Sequence, residues 1–91
     1  MNKTYKKNRQ ELFDEMINEN GYSFCQECKK TTQAIASHHI IYRSEKPKHP
    51  EIHNKLNLIL ICSICHDNFH NNKNSREHLI KERNLTELFN L

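Results

Sequence analysis

Ninety-one residues make one small domain, and a chain of this length hides only about 60–65% of the surface its unfolded form exposes. With 35% hydrophobic residues, no Trp and a mean hydropathy of -0.94, burial alone is a thin basis for a fold, and no stretch has the length of a membrane span. The formal net charge of +3 is mild, so the placement of the charges says more than their sum.

In chain order, Met1-Asn2-Lys3-Thr4-Tyr5-Lys6-Lys7-Asn8 is polar and basic without an apolar core, so no secretory leader and a cytoplasmic setting are expected. Lys3, Lys6, Lys7 and Arg9 precede the first acid, Glu11. That run suits a phosphate backbone or a plain solvated surface. Residues 5–20 read as a helix, with Leu12, Phe13, Met16 and Ile17 on one apolar stripe. Gly21, the one glycine, supplies the stop. Residues 22–32 hold a first knuckle, Cys25-x-x-Cys28, and residues 33–41 read as a short strand ending at His38-His39. Strand alternation sends adjacent side chains to opposite faces, so a doublet serving one site requires a bend there.

Residues 42–55 carry Pro47 and Pro50 and read as a loop containing Arg43, His49 and His53. Asn57 opens an apolar run, Leu58-Ile59-Leu60-Ile61, of strand length and core character that leads into Cys62-x-x-Cys65. From about Ser63 to Asn71 the pattern turns helical, and His66 and His70, four apart, share one face. Asn74 or Ser75 is expected to cap a further helix to about Arg83, and Thr86 a last short turn. The expected organisation is a core over 22–72, a helix over 5–20 and a helical tail over 74–91. His49, His53 and His78 read as loop or surface residues, with His49 and His53 near enough in sequence to serve as DNA contacts.

Each Cys-x-x-Cys turn aims two thiolates at one tetrahedral ion. Cys25, Cys28, Cys62 and Cys65 in a reducing compartment therefore favour structural zinc over disulfides. Zinc binding in small peptides is worth roughly 10–16 kcal/mol at neutral pH, enough to offset a thin core. Four thiolates and one Zn2+ would bring the net charge from +3 to about +1. Lys29, Lys30, Arg43, Lys46, Lys48 and Lys55 still leave a basic surface around the central histidines, against Glu45 and Glu51. Neutral imidazoles suit Zn2+ and Ni2+, serve for Mn2+ and bind Mg2+ poorly. A histidine off the metal, with an ordinary pKa of about 6.5, suits water activation and would lose that ability as pH falls through it.

Cys-x2-Cys, His-His-Ile-Ile, then Asn-Leu-x3-Cys-x2-Cys-His-x3-His resembles the four-cysteine, zinc-containing branch of the HNH endonucleases over about residues 24–70. Tyr42-Arg43 stand where many members carry Pro, and the loop lacks the usual glycines. The resemblance implies a small α+β, zinc-stapled domain with a ββα-metal, treble-clef-like core between an N-terminal helix and C-terminal helices. It implies DNA as substrate. His38, His66 and His70 match the ligands of one catalytic divalent ion (Mg2+, Mn2+, Ni2+ or Zn2+) that touches the scissile phosphate and the leaving 3′ oxygen. His39 matches the general base, and Asn57 the residue that braces the loop and orients that base. Products would carry 5′-phosphate and 3′-hydroxyl, and Arg43 is a candidate phosphate clamp.

Two other readings compete. One is a zinc-ribbon or treble-clef module that binds nucleic acid without cutting it; the other is a zinc-dependent module for protein partners. The Asn-, Lys- and Ile-rich composition fits an AT-rich bacterial or phage genome. Small freestanding members of the resembled family are often phage-encoded, sometimes beside packaging genes, which implies a packaging or other targeting protein as partner. Target sequence and oligomeric state have no signature in the chain.

Overall fold

The N-terminal helix begins earlier than its apolar stripe. Asn2 supplies the cap: its side-chain oxygen accepts the Tyr5 N–H at 3.1 Å, so helix α1 runs Lys3–Asn20. The computed structural model describes residues 2–31, 34–72 and 74–91. Gly21 ends α1 as expected, at φ 83°, with its N–H donating to the Ile17 carbonyl at 2.7 Å. The apolar stripe is narrower than its sequence suggests: Met16 is buried, Leu12 and Phe13 are half-buried, and Ile17 is 49% exposed. Polar contacts complete the docking. Lys55 Nζ lies 2.9 Å from Glu11 and 2.6 Å from Glu15, and Asn8 Nδ2 donates to the His53 carbonyl at 2.7 Å.

Strand β1 (Ile35–His39) pairs antiparallel with strand β2 (Leu58–Cys62), Ile35 opposite Cys62 and His39 opposite Leu58. Thr32 and Gln33, expected at the end of the first knuckle and the start of this strand, lie outside the described residues. Every residue of β2 is buried because both faces of the ribbon are covered. Ile59 and Ile61 join Phe69 of helix α2 (Ser63–Asn71) in the main cluster. Leu58 and Leu60 point the other way, to the face that α1 crosses with Met16. The outer edge of β2 is closed by the first knuckle. The Gln26 N–H donates to the Leu60 carbonyl at 2.8 Å, and its side-chain oxygen accepts the Leu60 N–H at 2.9 Å.

Between the strands the chain makes a series of turns and closes with a 3-10 turn, Lys55–Asn57, capped by the Asn54 side chain. Helix α3 (Glu77–Glu82) and helix α4 (Leu85–Phe89) follow α2. Their starts differ from expectation. Ser75 Oγ donates to the Asn72 carbonyl at 2.7 Å, which leaves Arg76 as the residue before α3, and Asn84, at φ 53°, precedes α4. The tail is also less superficial than its polar sequence implies. Leu79, Leu85 and Phe89 are buried in one cluster with Ile40, Ile41, Ile52 and Ile59. Two arginines staple it to the ribbon: Arg76 Nη1 donates to the Ile40 carbonyl at 2.5 Å, and Arg83 Nη1 to the Leu58 carbonyl at 2.6 Å. The result is the expected small α+β fold, with β1, β2 and α2 as a ββα unit. Among the described residues no helix is long and apolar enough to cross a membrane.

Candidate metal centres and active site

The first knuckle and the junction of β2 with α2 bring the four cysteines together. Cys25, Cys62 and Cys65 are buried and Cys28 half-buried; all are free thiols, and their sulfurs lie within 4.8 Å of one another. Cys28 Sγ and Cys62 Sγ are 3.8 Å apart. Zn–S bonds of about 2.3 Å in a tetrahedron place sulfurs about 3.8 Å apart, so the donor set fits zinc. Burial pushes the Cys25 thiol up, but N–H donors from Cys28, Cys62 and Glu27 outweigh it and bring the pKa down to about 6. Burial and then the neighbouring thiols push Cys65 up. Four thiols this close cannot all ionise alone; a dication among them removes that conflict.

The histidine doublet obeys the strand rule. Cross-strand partners share a face, so His38, opposite Ile59, turns toward α2, and His39, opposite Leu58, turns toward α1. No bend separates the two; both belong to β1. They nevertheless line one cavity of about 320 Å³, together with Tyr5, Arg43, His66 and His70. Among the described residues β1 pairs with β2 alone, so side chains from both of its faces can reach one cavity beside it.

On the α2 side, His38 stacks on His66 with ring centroids 3.8 Å apart. His66 Nε2 and His70 Nε2 lie 2.9 Å apart, as the i, i+4 spacing provides. Zn–N bonds of about 2.1 Å in a tetrahedron place ligand nitrogens about 3.4 Å apart, so the two rings aim at one point and need to part by only about half an ångström to share one ion. His38 offers its ring face to His66. Among the described residues, the cysteines are the one group of three or more potential ligands that closes to 4.8 Å. Burial, then repulsion from His66 and His70, lowers the His38 pKa to about 4. Tyr42 backs His70, stacked at 4.7 Å, with the Arg76 guanidinium 3.9 Å over its other face.

On the α1 side, the Tyr5 ring packs 4.9 Å from His39 and 5.4 Å from His53, while the Tyr5 hydroxyl is 2.6 Å from Ser37 Oγ. His39 Nε2 is 3.0 Å from His53 Nδ1. Burial, then the charges of His53, Arg43 and His38, lowers the His39 pKa to about 4, so the ring is neutral at pH 7. Arg43 is exposed at the rim of the cavity.

Asn57 is fully buried behind the doublet. Its Oδ1 accepts the Ile41 N–H at 2.7 Å, and its Nδ2 donates to the carbonyls of Ile41 at 3.1 Å and Ile52 at 3.0 Å. The side chain holds both ends of the loop and none of its hydrogen bonds reaches His39. Asn57→Ala strands three buried backbone groups, each worth about 1–3 kcal/mol. A loss of roughly 3 kcal/mol or more is expected in urea unfolding of the zinc-loaded protein.

His53 and Tyr5 are the residues whose place at the site goes beyond the sequence reading. His53 sits in a loop without periodicity, fourteen positions from the ring it touches. Tyr5 falls seven positions before Leu12 on the same helical face, so its phase is legible in the sequence, but its packing against His39 and His53 is not.

A family model described as HNH endonuclease matches residues 25–72, the span that carries both cysteine pairs, the doublet, Asn57, His66 and His70. Neither curated proteins nor solved structures return a match.

Proposed function

The chain belongs to the HNH endonuclease family, and from that premise we propose that it hydrolyses DNA phosphodiester bonds in a divalent-ion-dependent reaction. The observation that supports this most is the shared cavity: a converged His66/His70 pair beside His38 on one side of β1, and a neutral His39 on the other. Cys25, Cys28, Cys62 and Cys65 would hold a structural zinc, closed by four thiolates and removed from the chemistry.

His38, His66 and His70 would hold one divalent cation, which when bound supplies Lewis-acid stabilisation to the phosphate and the leaving 3′ oxygen. His39 accepts a proton from water as the water oxygen bonds to phosphorus. The bond from phosphorus to the 3′ oxygen breaks in line, and that oxygen takes its proton from solvent, leaving 5′-phosphate and 3′-hydroxyl ends. Arg43 reaches the phosphate from the rim. Asn57 is a positioning residue that keeps the loop closed behind β1.

The test is nicking of supercoiled plasmid by the zinc-loaded protein with Mg2+, Mn2+ or Ni2+, and with EDTA. Cutting that requires an added ion and stops with EDTA is the expected result. No cutting under any ion, with salt-sensitive DNA binding retained, would replace this reading by a binding module.

A further inference from the structure

We propose that His53 is the positioning residue for His39: its Nδ1 accepts the Nε2 proton of His39 and so leaves Nδ1 of His39 open to the cavity. The inference rests on the reading of His39 as base and adds the partner that makes its ring usable.

The geometry carries it. A neutral imidazole has one N–H donor and one acceptor nitrogen. His39 Nε2 faces His53 Nδ1 at 3.0 Å, and the rings meet edge to face with centroids 5.1 Å apart. One of the two must donate. If His53 donated, the His39 proton would sit on Nδ1 and the ring would have no free acceptor for a water proton. If His39 donates from Nε2, its Nδ1 lone pair is the one left for the cavity that His39 lines. A base therefore needs the second arrangement, with His53 carrying its own proton on Nε2.

His53 is itself held. Asn8 of α1 donates to its carbonyl at 2.7 Å, Asn57 donates to the carbonyl of the preceding Ile52 at 3.0 Å, and the Tyr5 ring packs against both imidazoles. Two segments, α1 and the turn that ends at Asn57, thus fix one hydrogen bond. Asn57 reaches His39 through this route: it sets the loop that carries His53. Histidine bases are commonly oriented by a second group on the far nitrogen; here the loop supplies an imidazole.

The experiment compares wild type with His53→Ala and His53→Asn, all zinc-loaded, by nicking kinetics and by NMR of 15N-labelled imidazoles. Asparagine can present Oδ1 where Nδ1 stands, so it keeps the acceptor. His53→Ala should lower kcat about 100-fold, the scale of a misplaced catalytic group, with KM little changed. His53→Asn should recover most of that loss. In wild type the His39 ring proton should reside on Nε2 and be protected from exchange; the protection should vanish in His53→Ala and persist in His53→Asn. Equal losses in both variants, a rise in KM alone, or a His39 proton on Nδ1 would overturn the role. Wild-type protein that cuts no DNA would overturn the nuclease reading and this role with it. Cutting wild type with an unaffected His53→Ala would overturn this role alone.

Discussion

Cys62→Ser is expected to unfold the chain. Cys62 ends β2, pairs across the ribbon with Ile35, precedes the first residue of α2 and is buried with its sulfur 3.8 Å from that of Cys28. It joins the knuckle, the sheet and the helix at one point. The ribbon has two strands, and α3 and α4 are only six and five residues long. Such pieces are marginal without a staple. Zinc affinity of roughly 10–16 kcal/mol exceeds or matches the whole net stability of a typical domain, about 5–15 kcal/mol. Losing one thiolate of four removes much of that. Circular dichroism with measured zinc content checks it: the variant, and wild type stripped by a strong chelator, should lose helical signal, and zinc should restore it in wild type alone. A metal-free wild type with an unchanged spectrum and melting point would show that zinc is not the staple.

His39→Ala is expected to abolish cutting while the protein stays folded and keeps its divalent ion. Removing a general base typically costs about 10²–10⁴ in rate. The ring is half-buried, and its main contacts are Tyr5 and His53, so the loss of packing is modest. The sheet geometry makes the two functions separable. His38 turns toward α2, which carries His66 and His70, on the other side of β1 from the His39 ring. Calorimetric titration with Mn2+ or Ni2+ should therefore give the wild-type affinity in His39→Ala and a weakened one in His70→Ala, with both inactive. Normal turnover by His39→Ala would remove the base assignment. Loss of ion binding in that variant would move His39 into the ligand set.

The residues at the site differ in how much of their setting is written locally. Two Cys-x-x-Cys turns, the apolar run 58–61 and the His66/His70 pair each announce themselves, because knuckle geometry, strand length and helical period act over a few residues. The limits of β2 and α2 followed from that. Tyr42, which departs from the usual family residue, could not be interpreted from spacing. Its ring lies between His70 and Arg76, from segments 28 and more positions away. The tail misled for a related reason: Leu79, Leu85 and Phe89 are sparse in a polar stretch, and their burial depends on the ribbon and the loop already being in place.

The sequence by itself determined the four-cysteine donor set, the family and the order of the elements. Those properties depend on which donors are present and on short-range spacing. The tertiary structure alone decided how the doublet is divided, with His38 given to α2 and His39 to α1, because the face a strand residue occupies has no meaning until something packs on that face. It also decided what holds His39. The hydrogen bond to His53 joins residues fourteen apart through a loop that Asn57 closes from β2's end and Asn8 closes from α1, and no local preference encodes a contact made by three separate segments.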